Sequence, residues 1–143
     1  MRNLKSKVVS KSTPIIYYWS SNSGGTRRVA ENLKTTTQPI HEVETVTHPF
    51  VIMTPSFDQP RGGFTPKPVE KFLEQHGHYL IGVLGTGNLN FGEHYCQAAK
   101  DISAQYKVPV LHRIDLMGND RDYQVIDSGI AAHWQKLIEL RGL

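Results

Sequence analysis

Ser20-Ser21-Asn22-Ser23-Gly24-Gly25-Thr26 packs four hydroxyls, one amide and two glycines into seven consecutive residues. The stretch lies between an apolar run, Ile15–Trp19, and a helical pattern in which Val29 and Leu33 stand four apart. A strand that turns into a helix here aims unpaired N–H groups and the positive end of the helix dipole at whatever lies above the turn. Ser21, Ser23 and Thr26 add hydroxyl donors, and Gly24 and Gly25 let the backbone curl around an oxyanion. Such a turn can capture a phosphate. No lysine follows the glycines and the spacing is not G-x-G-x-x-G, so a magnesium triphosphate is disfavoured and a phosphate monoester fits better. Alone, the stretch reads equally well as a serine-rich helix cap without a ligand.

Two further groups could complete a site. The segment from Thr54 to Phe64 carries Pro55, Ser56, Phe57, Gly62 and Gly63, and is long for a strand-to-helix connection. Phe57 stands where a planar ring could stack; the competing reading is an aromatic that plugs the loop base. From Gly85 to Gly92 the chain reads G-T-G-N-L-N-F-G. Asn88, Asn90 and free backbone N–H groups could meet the polar edge of a heterocycle, with Phe91 over an apolar part. The competing reading is a glycine-rich turn with capping amides. Together the three groups supply a phosphate site, a stacking wall and a polar edge, which are the requirements of flavin mononucleotide (FMN).

The elements that must position them alternate along the chain. Strands are expected at Pro14–Trp19, Phe50–Thr54, Tyr79–Leu84 and Val108–Leu116, with a weaker alternating segment around Ile40–Val46 as an edge strand. Helices are expected from Thr26 to Leu33, after Pro66 and Pro68, along Tyr95, Ala99, Ile102 and Tyr106, and along Ile126, Ile130, Trp134 and Leu137. Asn119 or Asp120 should open the last helix as its cap. The connection between the second and third strands is too short for a good helix. Strand–helix alternation implies an α/β domain with a parallel sheet covered on both faces, and ligands of such sheets bind beyond the carboxyl ends of the strands. The three groups fall after the first, third and fourth strands.

The 143 residues suit one domain, residues 13–143, behind a basic leader, residues 1–12. Arg2, Lys5, Lys7 and Lys11 belong to that leader, which leaves twelve basic against thirteen acidic residues in the body. The pI of about 9.0 is therefore the property of a tail rather than of a folded basic surface, and argues against nucleic acid. A single cysteine, Cys96, excludes an internal disulfide and reads as small-residue packing. None of the seven histidines has a metal-motif spacing. No apolar run approaches a membrane span and no signal peptide is recognisable, so the expected compartment is the cytoplasm.

Ser21-x-Ser23-Gly24-x-Thr26 resembles the [ST]-x-[ST]-G-x-[ST] phosphate loop of flavodoxins. "TPSF" at Thr54–Phe57, "GTGNLNFGEHY" at Gly85–Tyr95, "VPVLHRIDLMG" at Val108–Gly118 and "HWQKL" at His133–Leu137 resemble, more narrowly, the flavodoxin-like NrdI family. The resemblance runs from about Pro14 to Leu137. It implies a flavodoxin-like three-layer sandwich with a five-stranded parallel sheet in the order 2-1-3-4-5, holding FMN without a covalent bond. Ser20–Thr26 would take the phosphate, Pro55–Phe57 would set Phe57 against the ring, and Thr86–Gly92 would lie at the ring's polar edge. The family's reduced flavin reacts with O2 and passes superoxide to the dimanganese small subunit of class Ib ribonucleotide reductase, which forms a tyrosyl radical. The implied partners are that subunit and an electron donor. The chain departs from the pattern in a second loop with only Gly62-Gly63 and the charged Asp58 and Arg61, and in Asp115 before L-M-G, where glutamate is usual. The rival readings are a flavodoxin-type electron carrier, a nicotinamide-dependent flavin reductase, for which no nicotinamide site is recognisable, and a flavin-free phosphate-binding or interaction module.

Overall fold

The computed structural model describes residues 10–56 and 65–143, with the side chains of Phe91 and Glu93 left aside. Five strands form one parallel sheet: β1 (Ile15–Tyr18), β2 (Thr36–Pro39), β3 (Phe50–Thr54), β4 (Leu80–Gly87) and β5 (Val110–Asp115). Their order is β2-β1-β3-β4-β5, and all four pairings are parallel. The helices are α1 (Gly25–Asn32), α2 (Lys67–His76), α3 (Gln97–Tyr106) and α4 (Asp120–Leu140).

Side chains alternate across the sheet, so each strand feeds two cores. Ile15, Tyr17, Phe50, Ile52 and Val83 point to one side and meet Val69, Phe72 and Leu73 of α2 and Ala99 and Ile102 of α3. Ile16, Tyr18, Val51, Met53, Ile81 and Leu84 point to the other and meet Val29 of α1 and Ile126, Ile130, Trp134 and Leu137 of α4. β1 and β3 are buried along their whole lengths, as a parallel sheet under helices requires. The chain winds outward from β1 to β2, then crosses back to β3 on the other side. β1 and β3 therefore border the switch point, and their carboxyl ends open a crevice.

Helix α4 starts where a capping box allows it. Asn119 Oδ1 accepts the Asp122 N–H at 3.0 Å, and Asp122 Oδ2 accepts the Asn119 N–H at 3.0 Å. Pro66 and Pro68 sit at the α2 start, where no intrahelical N–H is lost.

Four expectations need correction. The edge strand is Thr36–Pro39, and Ile40–Glu42 form a 3-10 turn instead. The alternation at 40–46 arises because Ile40 and Val46 turn inward as part of the α2-side core, whereas a half-covered edge strand needs no apolar residues. β4 runs on through Gly85, Thr86 and Gly87, which the glycine content marked as loop. Tyr95 and Cys96 precede α3; Tyr95 closes a 3-10 turn, and Cys96 is the N-cap at φ +55°. The last strand stops at Asp115, and Leu116 turns away at φ +56°.

Candidate functional site

The serine-rich turn folds on its own hydrogen bonds. The Gly24 N–H donates to Ser21 O at 2.9 Å, and Ser21 Oγ and Ser23 Oγ lie 2.8 Å apart. Gly24, at φ +77°, is the N-cap of α1 and has no side chain to cap with. Ser20 takes over: its Oγ accepts the Arg27 N–H at 3.1 Å. On the outside, Arg28 Nη1 donates to Ser23 O at 3.1 Å. The Gly25 and Thr26 N–H groups, in the first turn of α1, keep no partner among the described residues.

Thr26 is only 3% exposed and points down toward the sheet. Its Oγ1 lies 2.8 Å from Oγ1 of Thr86, which is 4% exposed. The strand period explains the meeting. Gly85 and Gly87 turn toward α3, where a Cβ on Gly85 would come 2.9 Å from Ala99 Cβ and one on Gly87 would come 3.2 Å from Cys96 Sγ. Thr86, between them, faces α1. The Thr86 side chain, which the sequence reading assigns to the ring's polar edge, lies beneath the serine-rich turn.

Ser56 leaves the end of β3 and accepts the Ala98 N–H at 2.9 Å, so it caps the first turn of α3. Asn88 Oδ1 accepts the Asn90 N–H at 2.9 Å and starts the 3-10 turn Leu89–His94. Asn90 is exposed, and Gly92 turns the chain at φ +60°. Phe57, Gly62, Gly63 and the side chain of Phe91 lie outside the described residues.

One cavity of about 290 Å³ gathers Ser21, Ser23, Gly25, Thr26, Pro55, Ser56, Thr86, Gly87 and Asn88. Residues far apart in sequence thus meet over the carboxyl ends of β1, β3 and β4. Leu116 and Met117 form the remaining wall, 60% and 49% exposed. The sequence reading gave these two no role; the signal available was L-M-G, a large apolar pair in a turn. The wall is laced to the third loop: Leu116 N–H donates to Gly87 O at 2.7 Å and Leu89 N–H to Asp115 Oδ1 at 2.9 Å. Ser20 and Asn22 border a second, wider cavity of about 820 Å³, between the loop after β2 and α2.

The electrostatics are those of a neutral interior beside an anion-seeking rim. Burial pushes the Cys96 thiol up, which keeps it protonated and unreactive. Burial, with Cys96 beside it, raises Tyr95 to about 12. Deeper in the sheet, Tyr17 Oη lies 2.7 Å from His48 Nε2; burial raises Tyr17 to about 12 and lowers His48. Among the described residues, no three His, Cys, Asp or Glu side chains come together as a metal set.

The family described as "NrdI Flavodoxin like" matches residues 16–128, which include all three loops. The chain belongs to the NrdI family. Its NrdI relatives include Protein NrdI of Ruegeria sp. (strain TM1040), 38% identical over 128 residues that cover 83% of this chain and 89% of that one. Protein NrdI of Mycobacterium tuberculosis is 33% identical over 132 residues, covering 85% and 88%. Protein NrdI of Photorhabdus laumondii is 34% identical over 132 residues, covering 85% and 92%. Among solved structures, a short-chain flavodoxin associated with a PDU bacterial microcompartment covers 90% of this chain and 97% of its own at a TM-score of 0.58. At 16% identity that likeness speaks for the fold alone. Membership of a flavodoxin-like NrdI family implies a flavin cofactor, and the name ties the family to ribonucleotide reductase. No helix among the described residues is long and apolar enough to cross a membrane.

Proposed function

We propose that this protein binds FMN above β1, β3 and β4 and, with the flavin reduced, supplies superoxide to the dimanganese small subunit of a class Ib ribonucleotide reductase. The observation that carries this reading is the convergence of Ser21, Ser23, Thr26, Thr86 and Asn88 on one cavity, in a chain whose family match spans those loops. The Gly25 and Thr26 N–H groups, with the hydroxyls of Ser21, Ser23 and Thr26, suit a phosphate dianion at the positive end of α1. Ser20, Ser56 and Asn88 hold the three loops in place through their caps. Phe57, Gly62 and Gly63 supply the stacking side, and the backbone of Thr86–Gly92 the polar edge, with Asn90, Phe91 and Gly92 on its outer turn. The bound flavin supplies the one-electron chemistry with O2. Pro55, Leu116 and Met117 make an apolar wall that limits water beside the reacting ring. The chain also needs an electron donor, and the cytoplasm, where the reductase works, is the proposed compartment.

The test is the tyrosyl-radical signal of the manganese-loaded small subunit by electron paramagnetic resonance. Reduced protein plus O2 should generate it, and free reduced FMN plus O2 should do so poorly. Superoxide dismutase in the buffer should leave most of the signal, because a docked complex shields the transfer. No radical, with FMN bound and manganese loaded, leaves a flavodoxin-type electron carrier. A colourless protein that refuses added FMN leaves a flavin-free phosphate-binding or interaction module.

A further inference from the structure

We infer that Thr86 is a positioning residue: it holds the Thr26 hydroxyl so that its hydrogen points into the cofactor cavity, and the pair thereby selects a phosphorylated flavin over riboflavin. The inference rests on the flavin reading above and assigns a specificity device within it.

Each threonine hydroxyl carries one hydrogen and two acceptor lone pairs. The two oxygens are 2.8 Å apart, so one hydrogen lies between them. The second hydrogen has no acceptor among the described residues, although both side chains are more than nine-tenths buried. Buried donors are rarely left unpaired. Both threonines line the cavity above α1, so the missing acceptor belongs there.

Which hydrogen is left over depends on the occupant. If Thr26 donates to Thr86, the free hydrogen is on β4. If Thr86 donates to Thr26, the free hydrogen is on Thr26, in the first turn of α1, beside the unpaired N–H groups of Gly25 and Thr26. A dianion at that turn favours the second arrangement, because it alone adds a charge-assisted bond to the ligand. Thr86 then anchors the Thr26 oxygen while the hydrogen faces the anion. Riboflavin ends in a neutral hydroxyl, itself a donor, and gains much less. Thr86 reaches this position because Gly85 and Gly87 beside it face α3 and leave it as the side chain that the end of β4 sends toward α1.

The experiment is a fluorescence titration of apoprotein with FMN and with riboflavin, on wild type, Thr26→Val, Thr86→Val and the double variant. Thr86→Val should weaken FMN roughly five- to tenfold and riboflavin less than about twofold, because the charge-assisted bond from Thr26 loses its anchor but keeps its donor. The double variant should be no weaker for FMN than Thr26→Val alone. Thr86→Ser, which keeps the hydroxyl, should keep the wild-type ratio of the two affinities. Thr86→Ala, which removes the hydroxyl without a second methyl, should reproduce the loss of selectivity and guards against misfolding of the valine variant. Equal losses for both flavins, multiplicative losses in the double variant, or a Thr86→Ser ratio as low as that of Thr86→Val overturns the inference while leaving FMN binding intact. Wild-type protein that binds neither flavin overturns the functional reading and this inference together.

Discussion

Ser20 separates two kinds of work within one loop. Its hydroxyl oxygen accepts the Arg27 N–H at 3.1 Å, standing in for the side chain that the N-cap Gly24 lacks. Ser20→Ala removes that cap from a helix of only eight residues. Lost caps cost ~0.5–2 kcal/mol. Arg27 is exposed, so water replaces part of the bond, and the lower half of that range applies. For a chain of this size about 1 kcal/mol moves Tm by roughly 3–4 °C, so a fall of about 2–3 °C is expected. FMN and riboflavin should weaken in the same proportion, because the loop loses order and the ligand loses no direct donor. Differential scanning calorimetry gives the first quantity and flavin titration the second. A selective loss of FMN of about tenfold with Tm unchanged would place the hydroxyl on the phosphate and refute the capping account.

Three other expectations follow from the core. Burial lowers His48 from its ordinary 6.5, so the folded protein holds it neutral while the unfolded chain protonates it as pH falls. Stability should therefore be full above about pH 6.5 and decline as pH drops below it, with His76, lowered mainly by burial, adding in the same direction. Urea midpoints at pH 5 and pH 7.5 check this; an unchanged midpoint removes His48 from the account. Tyr17→Phe, which strips the partner from His48 at 2.7 Å, should cost about 1–3 kcal/mol at neutral pH in the same assay, and a neutral variant refutes the bond's importance. Gly85→Ala sets a Cβ 2.9 Å from Ala99 Cβ and 3.0 Å from Cys96 Cβ, and should destabilise by about 1–3 kcal/mol through displacement of α3. A loss under about 0.5 kcal/mol in chemical denaturation would show that α3 gives way freely.

The sheet was legible because β1 and β3 are apolar on both faces and because the helices repeat at 3.6 residues, as Ile126, Ile130, Trp134 and Leu137 do. β2 was misread because Thr36–Pro39 lies at an edge and is held by backbone pairing to β1 rather than by apolar burial. Composition misled again at Gly85-Thr86-Gly87, where glycine serves close approach to α3 inside a strand rather than a turn. The loops that meet at the site were identifiable from their polar residues, but the division of labour was not. Ser20, Ser56 and Asn88 have the same chemistry as ligand-binding residues, and only their positions show that their oxygens cap Arg27, Ala98 and Asn90. Leu116 and Met117 escaped notice because an exposed apolar pair has no signature until the chain's path is known.

The lacing of Gly87 to Leu116 and of Leu89 to Asp115 has a consequence for how the cavity can change shape. The first bond continues the β4–β5 ladder past the strand end and the second braces it through a carboxylate, so the two turns travel as one panel rather than as independent flaps. Asp122, shared between the capping box and His112 Nε2 at 2.9 Å, pins the far side of that panel to the start of α4. A residue inserted after Met117 would be felt at Asn88, on the same panel, although twenty-nine positions of chain separate them. Length changes in this turn should therefore arise together with compensating changes in the third loop.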